Sequence, residues 1–165
     1  KLPPPCDPVA DGELLFRGEV IGLNWQKSAP RCGVLDDGDL VIGGTRESLT
    51  PRLQRWLETE GQRLFSRDAA YYCSAANLPT AKARISRAKR RWGSCSSGGT
   101  ISISSRLLGA PFKCLHAVLV HELAHGIEMN HSDRFWKLVY DAMPDYDVAH
   151  GWLKENGGKL GWELV

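Results

Sequence analysis

The sequence predicts an α+β fold, and three observations carry that prediction. Short apolar pieces punctuated by Gly, Pro and Asp fill residues 14–44, the pattern of short strands and turns. Apolar residues at helical spacing follow over residues 50–77. An alternating segment at residues 92–104 then precedes three further helical stretches. Strands and helices come in separate runs, which is the α+β order.

Element by element, residues 1–12 (KLPPPCDPVADG) are Pro-rich and read as a poorly ordered lead-in to a single domain over residues 13–165. The pieces LLF, VIGL, GVL and LVIGG between Leu14 and Gly44 give two to four short strands, with Asp36-Asp37-Gly38-Asp39 as a hairpin signal. Thr50-Pro51 is the expected start of a long helix, with Thr as N-cap and Pro at the first helical position. Leu53, Trp56, Leu57, Leu64 and Phe65 carry its apolar spacing, and Asn77-Leu78-Pro79 marks its end. A β-hairpin follows, with Ser97-Gly98-Gly99 as the turn and TISIS as the alternating strand. Pro111 opens a second helix predicted to run to Met129, with Asn130 as a left-handed stop. Ser132-Asp133 caps a third, ended at Pro144, and DVAHGWLKEN is a short fourth that stops at Gly157-Gly158.

The chain has 165 residues, 42% hydrophobic and 24% charged, an ordinary globular composition large enough for its own core. A net charge of +2 does not argue for nucleic acid; only local clustering could. No apolar run reaches the roughly 18–20 residues of a membrane helix, so no membrane span is expected. The first residues contain no apolar segment of the secretory type. Cys6, Cys32, Cys73, Cys95 and Cys114 are odd in number and contain no C-x-x-C pair, which predicts free thiols in a reducing cytoplasm.

The chemistry concentrates in HELAHGIEMNH, residues 121–131. His121 and His125 lie one helical turn apart on one face, with Glu122 after the first. This is the H-E-x-x-H pattern, in which two imidazoles hold zinc and the glutamate is a general base. The apolar run before it continues into His121 and Glu122, and polar groups embedded in such a helix need partners. A catalytic zinc takes a third protein ligand and keeps one position open. His131 is the leading candidate, with Glu128 or a distant acid as rivals. On an unbroken helix His131 would lie about 15 Å along the axis from His121, so the chain must break after His125 and turn back. Metzincins share this histidine spacing but carry Gly where this chain has Glu128, so the turn is differently built. His116 points to another face and His150 lies in the last helix; both read as packing or surface residues.

Three stretches, KRRWGSCSSGGTISISSRLLGAP, VLVHELAHGIEMNHSDRFWKLV and MPDYDVAHGWLKENG, resemble the YgjP-like metallopeptidase family, a relative of the SprT-like zinc proteases. The likeness is strong over residues 80–158 and looser before them. SISSRLL stands where relatives often have an Asn-containing strand, and nothing before residue 12 has a clear counterpart. The resemblance implies a zincin-like fold, one zinc ion on His121, His125 and His131, Glu122 as the catalytic base, and a peptide or protein substrate.

On that reading, Glu122 accepts a proton as water attacks a zinc-polarised carbonyl. Tyr146, His150 and Arg134 are the candidates for stabilising the oxyanion, and Phe135 and Trp136 are expected to pack behind the third ligand. The strand Arg91, Trp92, Gly93, Ser94 and Cys95 is the candidate for receiving extended peptide by main-chain pairing. Six basic residues, Lys82, Arg84, Arg87, Lys89, Arg90 and Arg91, precede and enter it. They raise two alternatives: a peptidase recruited to nucleic acid, since SprT-like relatives act on DNA-bound proteins, or simply a charged strand that discourages edge pairing. A non-catalytic, zinc-stabilised binding module is a further reading.

Overall fold

In the computed structural model residues 7–160 are described, and the expectation for residues 1–6, Cys6 included, lies outside them. Residues 7–12, expected as part of the lead-in, form a capped turn instead. In α1 (Pro8–Asp11) the Asp7 carboxylate accepts from the amides of Val9 and Ala10, and Gly12 closes the turn at φ 71°.

Two hairpins build the first sheet. β1 (Glu13–Phe16) and β2 (Glu19–Trp25) are joined by Arg17 and Gly18, both at positive φ. β3 (Val34–Asp36) and β4 (Asp39–Ile42) are joined by Asp37 and Gly38, again both at positive φ, as the Asp-Gly pair requires. β2 and β4 run parallel, giving the order β1-β2-β4-β3.

The long helix α2 (Leu49–Ala75) starts slightly before the Thr50-Pro51 signal. A 3-10 turn over Arg46–Ser48 leads into it and Ser48 is the cap residue. Pro51 then falls in the first turn, where its missing N–H forfeits no intrahelical bond. Leu53, Leu57, Leu64 and Phe65 are buried as their spacing predicts, whereas Trp56 is only partly covered, tilted against Phe16. Asn77 takes the left-handed conformation, and the Leu78 amide donates back to the Cys73 carbonyl at 2.8 Å.

The second sheet contains β5 (Ala83–Ser86), β6 (Gly93–Cys95) and β7 (Ile101–Ser104). β6 and β7 form the predicted hairpin; β5 pairs parallel to the other side of β7, leaving β6 at an edge. Helix α3 (Phe112–His125) packs against α2, β6, β7, α4 (Asp133–Ala142) and α5 (Tyr146–Asn156). It stops at His125, short of the predicted Met129, and Asn130 is not left-handed. Amides of Gly126, Ile127 and Glu128 close the helix end on the Leu123 and Ala124 carbonyls. Ser132 caps α4 as predicted, its hydroxyl accepting from the Phe135 amide at 3.3 Å. Among the described residues no helix is long and apolar enough to cross a membrane.

Arg106 ties the loop before β6 to the turn that follows α5. Its guanidinium donates to the carbonyls of Lys89 (2.7 Å), Gly157 (2.7 Å) and Leu160 (2.8 Å) and lies 4.4 Å from the Trp92 ring centroid. Arg106→Met leaves these carbonyls without their donor and is expected to cost about 2–4 kcal/mol. Urea denaturation measures this, and an unchanged midpoint would show that the three bonds contribute nothing net.

Candidate metal centre

Helix α3 supplies two rings and the turn after it supplies a third. His121 and His125 place their Nε2 atoms 3.2 Å apart, and His131 brings its Nε2 to 3.3 Å from that of His121. All three could hold a metal, with one ligand atom from each lying within 4.8 Å of the others. His131 reaches the other two because α3 ends at His125 and the chain folds back.

The outer nitrogens set the tautomers. His125 Nδ1 is 3.3 Å from the Glu128 backbone oxygen, which can only accept, so Nδ1 carries a proton and Nε2 is the nitrogen turned toward the cluster. His121 Nδ1 lies 3.2 Å from the Tyr146 hydroxyl. Burial, reinforced by the neighbouring His125, His131 and His150 rings, pushes the His121 pKa down to about 4, so its ring is neutral near pH 7. Ring nitrogens converging at this distance crowd one another unless a cation lies among them to be shared. The donor set therefore fits a divalent metal of borderline softness.

Aromatic rings floor the cluster. Phe135 is fully buried, with its centroid 5.0, 4.6 and 4.8 Å from those of His121, His125 and His131. Trp136 stacks on His131 at 5.9 Å. This is where the sequence placed both residues, behind the third histidine.

Glu122 is buried beside His121, and burial raises its pKa, with His125 and Arg91 pulling the other way. Edge strand β6 presses directly on it. A Cβ at Gly93 would meet Val118 Cγ1 at 2.8 Å, Glu122 Cγ at 2.9 Å and Glu122 Oε1 at 3.0 Å. Glu122 borders two cavities. One, about 260 Å³, borders His121 and is lined by Arg91, Trp92, Val118, Tyr146, His150 and Leu153. The other, about 400 Å³, is lined by Lys82, Cys95, Ile101, Leu123 and Ile127 among others.

The remaining candidates fall in different places. Tyr146 is buried, with its phenol pushed up to about 12 chiefly by burial, so it stays protonated. The His150 ring lies 5.5 Å from it, on the same cavity. Arg134 borders neither cavity and instead places Nη1 4.0 Å from a Glu128 carboxylate oxygen. Glu128, the rival third ligand, meets the site through its backbone carbonyl. Burial raises the Cys95 thiol, with Glu122 adding to the effect, and the thiol donates to the Ser96 carbonyl at 3.5 Å. His116 is occupied elsewhere, 2.9 Å from the buried Asp68 carboxylate.

Of the basic stretch, only residues 83–86 form strand. Arg87 pairs with Glu58 at 2.5 Å, Arg84 donates to the Ser102 hydroxyl at 2.8 Å, and Lys82 and Arg91 border the two cavities. Two features had no readable signal in the sequence. The bond between His121 and Tyr146 links residues 25 positions apart, and the Arg106 tie to Leu160 spans 54. Neither spacing has a local period that would announce it.

The YgjP-like metallopeptidase domain profile matches residues 4–156. The chain belongs to the YgjP-like metallopeptidase family. It is thus a metallopeptidase domain, a hydrolase of peptide bonds that depends on a metal. A solved structure similar in fold is the crystal structure of the metallopeptidase zymogen abylysin of Pyrococcus abyssi. It aligns with a TM-score of 0.50 and 24% identity, covering 61% of this chain and 99% of that one. The likeness supports a shared mixed α+β fold over that part of this YgjP-like domain. No curated protein sequence matches the chain.

The Gly93 contact makes a direct prediction. Gly93→Ala is expected to destabilise the fold by about 1–3 kcal/mol, because Val118 and Glu122 on α3 must give way. At Gly98 the nearest atom to an added Cβ is 3.8 Å away, so Gly98→Ala should leave stability unchanged. Thermal denaturation of the two variants compares them.

Proposed function

We propose that this YgjP-like domain is a zinc-dependent metallopeptidase in which His121, His125 and His131 hold one zinc ion per chain and Glu122 is the general base. The observation that carries the reading is that the Nε2 atoms of His125 and His131 stand 3.2 and 3.3 Å from that of His121. Zinc–imidazole bonds of about 2.0–2.1 Å in a tetrahedron require ligand nitrogens roughly 3.3–3.4 Å apart. Zinc held there supplies a Lewis acid that polarises the scissile carbonyl and acidifies water.

The chain's own residues supply the rest. Glu122, with its basicity raised by burial, takes a proton from the water that attacks the carbonyl carbon. It returns that proton to the amine as the C–N bond breaks. Its neighbour Gly93 lets β6 lie against the same helix turn, and β6 is a sheet edge with backbone groups free to pair with an extended substrate. In this reading the segment Arg91–Cys95 is the peptide-binding edge. Tyr146 and His150 are the favoured oxyanion stabilisers, since both border the cavity beside His121 and Glu122, whereas Arg134 does not. The Tyr146 hydroxyl can accept from His121 Nδ1 and still donate its own proton.

A non-catalytic zinc module leaves the buried Glu122 carboxylate without a purpose beside the ion. Recruitment to nucleic acid rests on charge alone, and part of that charge is already paired, Arg87 with Glu58.

Glu122→Gln should retain zinc and lower turnover of an unstructured protein by about 10²–10⁴-fold, the usual contribution of a general base. Undiminished turnover would remove Glu122 from the mechanism. Zinc affinity, measured by chelator competition, should fall in Tyr146→Phe by the roughly 10–100-fold typical of a lost outer hydrogen bond. In His131→Ala it should fall further, with Glu128→Gln little changed. The reverse order for His131 and Glu128 would reassign the third ligand.

A further inference from the structure

A third cavity, about 470 Å³, lies against the same edge strand and carries no negative charge. Arg84, Arg91, Ser94, Ser96, Thr100 and Ser102 line it. Strand register explains how they meet: Arg84 on β5 and Ser94 on β6 are both paired with Ser102 on the central β7. Registered neighbours share a face, so one guanidinium and two hydroxyls form a row across the sheet. The opposite face carries Ile101 and Ile103 into the core. Arg84 Nε already donates to the Ser102 hydroxyl at 2.8 Å, which orients the guanidinium along the row.

Neither arginine is neutralised. Among the described residues no carboxylate lies within ion-pair distance of Arg84 or Arg91, whereas Arg87, three residues after Arg84, is paired with Glu58. The cavity also adjoins the reacting groups. Arg91 borders both this cavity and the one beside His121 and Glu122, and its charge acts on the Glu122 carboxyl. Cys95 and Thr100 are shared with the cavity on the Lys82 side. Across the three linings the cations are Lys82, Arg84 and Arg91, and the sole acid is Glu122. The whole chain is nearly balanced, with 21 basic and 19 acidic residues, so the positive charge is concentrated at the cleft.

We infer that Arg84 and Arg91, with the hydroxyls of Ser94 and Ser102, form a subsite for an anionic side chain, carboxylate or phosphate, of the polypeptide bound along β6. The subsite makes this domain selective for acidic substrates. Guanidinium and hydroxyl donors grouped without an acceptor are suited to an oxyanion, and a bound anion would also offset the unpaired cations. This inference rests on the peptidase reading of the neighbouring site.

The test uses the zinc-loaded 165-residue chain and peptides of one neutral sequence. A single Glu, phosphoserine, Gln or Lys is walked through the positions flanking the scissile bond. At one position Glu or phosphoserine should raise kcat/KM over Gln by about three- to tenfold, with Lys lowering it. A larger gain for phosphoserine than for Glu identifies phosphate as the preferred anion; equal gains identify any carboxylate or phosphate. The ratio should collapse toward one in Arg84→Gln and recover in part in Arg84→Lys, which distinguishes lost charge from a disturbed sheet. Anisotropy of the same labelled peptides on Glu122→Gln reads the subsite without turnover, so binding preference survives even if the proposed chemistry fails. Cleavage with no charge preference, or a preference for Lys, overturns the subsite and leaves the peptidase intact. Salt-sensitive binding of a single-stranded oligonucleotide that is lost in Arg84→Glu, with peptides indifferent to charge, also overturns it and assigns the arginines to nucleic acid.

Discussion

The ring nitrogens of His125 and His131 stand 3.2 and 3.3 Å from that of His121, and much of the architecture around α3 serves to keep them there. The Glu128 carbonyl fixes the proton of His125 on the outer nitrogen, and the Tyr146 hydroxyl sits against the outer nitrogen of His121. The buried Phe135 ring contacts all three imidazoles and gives the cluster a common apolar floor. A cation shared among the rings relieves their crowding, and this is why metal binding and local folding are expected to be coupled here.

The end of α3 follows from the same constraint. A regular helix past His125 would carry His131 away along the axis. The helix closes on tight bonds from residues 126–128, and the carbonyl of Glu128 turns toward the His125 ring. One residue thus ends the helix and orients a ring, while its carboxylate lies toward Arg134 on the outside. The second sheet meets the site at a point where no side chain fits, since Gly93 allows β6 to approach Glu122 within van der Waals contact. Burial raises the basicity of the Glu122 carboxylate, and β6 is one of the elements packed against it.

The polar face of the same sheet has a separate character. Its inner residues, Ile101 and Ile103, belong to the core, while Ser102 and its registered partners face a cavity bearing unpaired guanidinium groups. Alternation along a strand lets three residues of β7 serve both purposes. The basic stretch, which in the sequence is a simple run of charge, is divided by the fold among an ion pair, a cross-sheet hydrogen bond and the rims of cavities.

Much of this was legible in the residues, for local reasons. The Asp37-Gly38 turn, the long apolar spacing of α2, the Ser132 cap and the H-E-x-x-H pair are short-range patterns, and each recurs in the structure where the sequence puts it. Local patterns also misled at two places: the apolar run through Met129 put the helix end four residues too far, and the Pro-rich start hid the Asp7-capped turn. The convergence of His131 was foreseen only because a break was required by distance, and how the break is made was not. The parallel pairing of β5 with β7, the contact of Tyr146 with His121, the Gly93 approach to Glu122 and the Arg106 tie join residues far apart in the chain. Such contacts form only once the core has collapsed and fixed the relative positions of sheet and helices, so no periodicity or spacing in the sequence encodes them in readable form.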